Sequence, residues 1–176
     1  MVCAAYGQTG YAANVRGPIH HLLTHDHARL DALLARSTAN PEVVDLAAYQ
    51  ELRAGLLRHI AMEEKVLFVD ARMRRGGVPL PITKQLHADH AALASLLVPS
   101  PTHALIGSLR EILDEHNHLE EEADGLYDLC EQLAGAELDA VLARMHAIPA
   151  VRVSQHVDEP RIHAHIERML AARAIR

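Results

Sequence analysis

Residues 59–68 read His-Ile-Ala-Met-Glu-Glu-Lys-Val-Leu-Phe, and residues 118–127 read His-Leu-Glu-Glu-Glu-Ala-Asp-Gly-Leu-Tyr. Aligned without a gap, both stretches contain His-x-x-x-Glu, and they end in Leu-Phe and Leu-Tyr. A second pair, residues 26–34 and 89–97, begins with Asp-His-Ala in both copies and repeats its leucines. The order along the chain is therefore His, His-x-x-x-Glu, His, His-x-x-x-Glu. This order indicates a duplicated set of metal ligands.

Helix geometry explains the spacing. Residues four apart on an α-helix lie about 40° apart around its axis, so the His and Glu of each copy share one face. A four-helix bundle can enclose two metal ions with ligands from every helix. The repeat predicts six inward-facing ligands, which are His27, His59, Glu63, His90, His118 and Glu122.

The same geometry places other polar side chains outside this set. His116 stands two positions before His118, about 160° away around the helix, so we expect it in solvent. Glu64, Glu120 and Glu121 are expected mostly on solvated faces, and Glu120 or Glu121 as an extra metal ligand is the minor alternative. Asp26 and Asp89 directly precede predicted ligands, and two roles stay open for them: orienting neighbouring groups or serving as surface acids.

Composition favours a single helical domain. The chain has 176 residues, 49% of them apolar but only 3% aromatic. A core of Leu, Ala, Ile and Val suits packed helices better than a β-sandwich. A formal charge of −6 argues against nucleic-acid binding, and no apolar run is long enough for a membrane span. The 14 histidines favour metal binding.

Start and stop signals predict four helices, over residues 18–36, 41–75, 81–97 and 101–134. Asn40-Pro41 and Ser100-Pro101 are read as helix starts, and Gly76-Gly77 as a stop. The expected fold is all-α, an up-down-up-down four-helix bundle with a short helical C-terminal extension. Residues 1–16 are expected to form an arm, 17–135 the bundle, and 136–176 an extension that docks on it.

The motif order resembles the hemerythrin-like (HHE cation-binding) family, over roughly residues 18–134. The resemblance implies an oxo- or hydroxo-bridged pair of non-haem iron ions. Its six ligands would be the repeat-matched residues, with Glu63 and Glu122 bridging. The oxygen-carrying members have a fifth histidine four residues before the third-helix ligand, where this chain has Leu86. His87, three residues before His90, is the alternative candidate for a fifth imidazole. The His-x-x-x-Glu of the last helix is closer to the bacterial branch.

The resemblance leaves several functions open. The first is binding of O2 or a related small oxidant, for storage, sensing or detoxification. The second is an enzymatic one, a peroxidase or catalase acting on H2O2. The third is an iron- or redox-responsive regulatory protein without catalysis. The sequence alone predicts no catalytic residue. Cys3 and Cys130 form no C-x-x-C pair and residues 1–17 resemble no signal peptide, so the cytoplasm is the expected compartment.

Overall fold

The computed structural model describes residues 16–173, and no strand occurs within that range. The predicted N-terminal arm falls outside the described residues except for Arg16. The helices are α1 (Pro18–Ser37), α2 (Leu46–Met62), α3 (Phe68–Arg74), α4 (Thr83–Leu96), α5 (His103–Glu121), α6 (Leu126–Ala134), α7 (Leu138–His146) and α8 (Pro160–Arg173).

Four rods form the predicted four-helix bundle, which confirms the all-α fold class. They are α1, the α2–α3 pair, α4 and the α5–α6 pair. Two buried apolar clusters fill the bundle, one around Leu52 and Leu93 and the other around Leu23 and Leu126. A layer of buried histidine and glutamate side chains lies between them along the rods. This polar layer is the unusual feature of the core, because such groups are rarely buried unless they are paired.

The starts that proline signals predicted for the second and fourth helices differ from the observed ones. The start at Asn40-Pro41 is wrong: the Asn40 side chain accepts a hydrogen bond from the Glu42 amide within a turn. The helix begins after Asp45, whose side chain accepts from the Ala48 amide at 3.0 Å. Likewise Thr102, and not Ser100, caps α5. In both cases another residue of a type that favours the N-cap position, Asp45 or Thr102, provides the cap slightly further along the chain.

The second rod runs through a π-helical turn at Glu63–Leu67 between α2 and α3. Such a turn has one extra residue per turn and is frequent at functional sites. The rod ends as predicted at Gly76 and Gly77, whose φ angles are 66° and 92°. These left-handed conformations favour glycine, so the chain can reverse there at little cost.

The predicted single helix over residues 101–134 is wrong, because it is broken. α5 ends at Glu121, a four-residue loop follows, and α6 begins at Leu126. Within this loop Asp124 has a φ of 62°. A Cβ on Gly125 would lie 2.8 Å from the carbonyl oxygens of Leu119 and Glu120. The glycine therefore permits the close approach of the backbone that this loop needs.

The C-terminal segment packs on the bundle. Helix α7 contributes the buried Val141 and Met145 to the cluster around Leu126. An extended segment then leads to α8, which contacts α4 and places Ile166, 6% exposed, in the cluster around Leu93. Among residues 16–173, no helix has the length and apolar character needed to cross a membrane.

Two glycine substitutions provide a matched test of the loop. Gly125→Ala should lower the free energy of unfolding by about 1–3 kcal/mol, because its Cβ meets backbone carbonyls that cannot move aside. Gly107→Ala, inside α5 with no atom within 4 Å of its Cβ, should raise it by up to about 1 kcal/mol. Urea unfolding measures both values. Equal effects of the two changes would contradict the account of the loop.

Candidate metal centre

All four rods contribute side chains to the polar layer. The six residues are each at most 5% exposed: His27 from α1, His59 and Glu63 from the second rod, His90 from α4, and His116 and Glu120 from α5. They form two overlapping groups that could each hold a metal ion. The first group consists of His27, His59, Glu63 and Glu120, and the second of Glu63, His90, His116 and Glu120. In each group the potential ligand atoms lie within 4.8 Å of one another.

The two glutamates belong to both groups because each directs its two oxygens to opposite sides. Glu63 Oε1 lies 3.2 Å from His59 Nε2, and its Oε2 lies 3.1 Å from His90 Nε2. Glu120 does the same, with Oε2 3.6 Å from His27 Nε2 and Oε1 3.1 Å from His116 Nε2. A carboxylate with one oxygen on each side can bridge two metal ions.

Each imidazole turns its other nitrogen, Nδ1, toward an outer carboxylate. The pairs are His27 with Glu121, His59 with Asp26, His90 with Glu64, and His116 with Asp89, at 2.5, 3.0, 3.0 and 3.7 Å. In the first three pairs a proton on Nδ1 can donate outward and leave the Nε2 lone pair facing inward, whereas His116 Nδ1 lies beyond hydrogen-bond distance of Asp89. This is the arrangement by which carboxylates orient metal-binding histidines.

The structure does not bring His118 and Glu122 into the layer. Their side chains are 74% and 45% exposed and lie 3.5 Å apart on the surface of the bundle. The expectation that they face inward is wrong, as is the expectation that His116 and Glu120 lie in solvent. His59-x-x-x-Glu63 instead corresponds to His116-x-x-x-Glu120.

The loop after Glu121 explains this error. Leu67 follows Glu63 by four residues, whereas Leu126 follows Glu120 by six, because the loop adds two residues. An alignment without a gap that matches the later Leu-aromatic pair therefore shifts the histidine and the acid by two positions. The corrected alignment also places Glu64 opposite Glu121. These two carboxylates contact the equivalent imidazoles of His90 and His27. Gly125 was the sequence signal that could have suggested a break and a gap.

His87 is not in the layer either. Its side chain is 53% exposed, and its Nδ1 lies 3.0 Å from Glu64 Oε1. It therefore contacts the outer carboxylate of His90 and does not add a fifth imidazole. Each group keeps two imidazoles, and the site is symmetric in this respect.

One hydroxyl distinguishes the two halves. Tyr127 is fully buried, and its OH lies 2.8 Å from Glu63 Oε1, 2.9 Å from Glu120 Oε2 and 3.2 Å from His27 Nε2. The corresponding residue of the first half is Phe68, which stacks nearly parallel to His90 with ring centroids 5.8 Å apart. The first group thus has a hydrogen-bond donor where the second has an apolar ring.

The side chains of the polar layer also shift one another's pKa values. Burial lowers the pKa of His59, but the charge of Glu63 and a hydrogen bond outweigh burial and raise that pKa to about 10. Burial lowers and Glu120 raises the pKa of His116, again to about 10. Burial raises the pKa of Glu63, yet the facing imidazoles bring it well below its usual value. Without metal, His59 and His116 are therefore imidazolium cations beside the buried glutamates.

The donor set fits two metal ions. His27 Nε2 and His59 Nε2 are 2.9 Å apart, and His90 Nε2 and His116 Nε2 are 3.2 Å apart. Glu63 Oε2 and Glu120 Oε1 are buried and accept no hydrogen bond from any residue within 16–173. Imidazole nitrogens and carboxylate oxygens that converge in pairs, with unused acceptors, match the requirements of a first-row transition metal.

The pKa shifts predict how stability of the metal-free protein depends on pH. Because the pKa of both His59 and His116 rises from 6.5 to about 10 on folding, their contribution is complete below pH 6.5. It declines as pH rises and is lost above about 10. Urea unfolding over this range should show the decline. His59→Asn should reduce the slope and His118→Asn should not; a level profile in the wild type would contradict the pairing.

Two tyrosines provide a second matched test. Tyr127→Phe should lower the free energy of unfolding of the metal-free protein by about 1.5–3 kcal/mol, because buried carboxylates lose a donor. Tyr49→Phe should have an effect near zero, because the Tyr49 hydroxyl is buried without a hydrogen-bond partner among the described residues. Thermal or urea unfolding of both variants gives the comparison. Equal losses would mean that the Tyr127 hydroxyl adds nothing specific.

Comparison with known proteins agrees with this geometry. The family model for the hemerythrin HHE cation binding domain matches residues 19–123, a range that includes all six residues of the polar layer. Neither curated proteins nor solved structures gave a match. The matched range covers more than half of the chain, and the chain belongs to the hemerythrin HHE cation-binding domain family.

Proposed function

We propose that the polar layer holds two iron ions and that the pair binds O2 or a related small oxidant. The observation that supports this most strongly is the orientation of Glu63 and Glu120. Each presents one oxygen to the His27–His59 pair and the other to the His90–His116 pair. Bound iron would supply a centre that coordinates O2 and exchanges electrons with it.

Each ion would take two imidazole nitrogens and two carboxylate oxygens from the protein, one from each glutamate. Four protein ligands leave coordination positions for a shared oxygen and for a small molecule. His87 and His118 have no place in this set. The ligand assignment we propose is therefore His27, His59, Glu63, His90, His116 and Glu120. The His-x-x-x-Glu spacing in both halves is compatible with the bacterial branch of the family.

A groove beside the second half supports access for a small oxidant. It has a volume of about 490 Å³ and is lined in part by Glu64, Phe68 and His87. Phe68 forms part of its wall and stacks on His90 on the inner side. Because no tyrosine hydroxyl from residues 16–173 lies beside the imidazoles of this half, we propose that O2 or H2O2 approaches through movement of the Phe68 ring.

Cys130 and the outer carboxylates are compatible with a site that binds small oxidants. Burial raises the pKa of the Cys130 thiol to about 12, which keeps it in its less reactive protonated form. The outer carboxylates of His27, His59 and His90 would keep these three imidazoles in the tautomer needed for binding. We place the protein in the cytoplasm, and we propose neither nucleic acid nor membrane as a partner.

Metal analysis and optical spectroscopy test the function together. Protein reconstituted anaerobically with Fe²⁺ should bind two ions per chain and, on exposure to air, develop an oxo-to-iron absorption band in the near ultraviolet. Reversal of the spectrum on removal of O2 favours a carrier or store. Sustained release of O2 from added H2O2 assigns a catalase instead. Failure to bind iron in pairs would reject the proposal.

A pair of histidine variants provides the control for that experiment. His116→Ala should weaken metal binding by at least about 100-fold and abolish the band, because it removes a ligand. His118→Ala, two residues away and 74% exposed, should retain two ions and the spectrum. If His118→Ala loses the ions and His116→Ala retains them, His118 and Glu122 are the ligands instead.

A further inference from the structure

The two halves obtain the cation beside their outer aspartates from different places. Asp26 and Asp89 occupy equivalent positions, each directly before a layer histidine and each facing the imidazole of the next rod. In the first half Arg29, three residues after Asp26, pairs with it at 2.7 Å. The residue three positions after Asp89 is Ala92, which is buried. The second half therefore has no arginine of its own at this place.

Helix α8 brings an arginine to the second half. The Arg173 guanidinium donates a hydrogen bond to Asp89 Oδ1, and it also lies 3.6 Å from Glu115. Its side chain is 18% exposed, against 44% for Arg29. The contact joins residues 84 positions apart, and Arg173 lies outside the range that the family model matches.

Asp89 needs this partner more than Asp26 does. It is 1% exposed, and its neighbours are His116, Gln85 and Arg173. Gln85 and Arg173 both donate to Asp89 Oδ1, and His116 Nδ1 lies 3.7 Å from Asp89 Oδ2. A buried carboxylate that keeps its charge can orient the imidazole beside it, and a buried charge without partners is strongly destabilising.

The rest of α8 is only partly in contact with the layer. A groove of about 560 Å³ separates α8 from α5 and is lined by Glu111, Glu115, Leu170 and Arg173 among others. Ile166 is buried in the apolar core, and Ile162, Met169 and Leu170 pack partly against it. Contact between α8 and the outer carboxylates consequently depends on the last turn of the helix, where Arg173 lies.

We propose that Arg173 completes the second half of the metal centre as a positioning residue, and that docking of α8 is coupled to metal binding at the His90–His116 position. This inference rests on the proposed metal-binding function. Arg173 acts through Asp89, which holds His116. Because coupling between two events is reciprocal, metal at this position should also favour the docked position of α8.

Titration with Zn²⁺ alone tests the first part, because zinc accepts the same ligands without redox chemistry. Wild-type protein should bind two ions. Arg173→Ala should weaken one of them by about tenfold, the lower end for a change in an outer partner. Arg173→Lys should recover part of the loss. Arg168→Ala, which removes an exposed arginine from the same helix, should bind both ions as the wild type does.

Limited proteolysis tests the coupling without any activity assay. Cleavage within the extended segment 150–159, which precedes α8, should slow when Zn²⁺ is bound to the wild type. This protection should be lost in Arg173→Ala and retained in Arg29→Ala, which affects the other half. Far-ultraviolet circular dichroism verifies that each variant is folded, and Arg173→Gln, which also removes the charge, replaces the alanine variant if that one is not.

The outcomes separate the inference from the proposed function. If the wild type binds fewer than two Zn²⁺ ions, the metal pair and this inference both fail. If wild type and Arg173→Ala bind two ions with equal affinity, or if metal protects both against cleavage equally, only the inference is overturned.

Discussion

Two buried carboxylates, Glu63 and Glu120, lie in the middle of an apolar bundle, and the surrounding structure compensates their charge. Neither is exposed to solvent, and both face imidazoles on two sides. Isolated charges in such a place cost far more free energy than a bundle of this size could offset. The imidazoles, their outer carboxylates and the arginines beyond them form successive shells of alternating charge. Metal ions would substitute for protons within this arrangement.

Duplication accounts for most of that arrangement. Each half provides an Asp-His pair from a shorter rod and a His-x-x-x-Glu-Glu segment from a longer one. The outer acid of one half holds an imidazole of the other, since Glu64 faces His90 and Glu121 faces His27. The halves are therefore interlocked through their second glutamates. Separation of the two halves would leave His27 and His90 without their outer carboxylates.

The halves differ where function would require asymmetry. Tyr127 provides a hydroxyl to one pair of imidazoles, and Phe68 covers the other beside a groove. The cation at the outer aspartate is local in one half and comes from the last helix in the other. All these differences lie outside the six inward-facing groups. The ligand set can thus stay symmetric, while the proposed access route and the proposed coupling to α8 both lie in the half that contains His90 and His116.

The repeated motifs by themselves determined the helical bundle, the duplicated His and Glu set and four of its six members, because 3.6-residue periodicity is a local property. They did not determine the partners on the last rod. His116-x-x-x-Glu120 and His118-x-x-x-Glu122 have the same spacing, and only the break after Glu121 selects the first pair. The contact of Arg173 with Asp89 also depended on tertiary structure, because no local pattern joins residues so far apart in the chain.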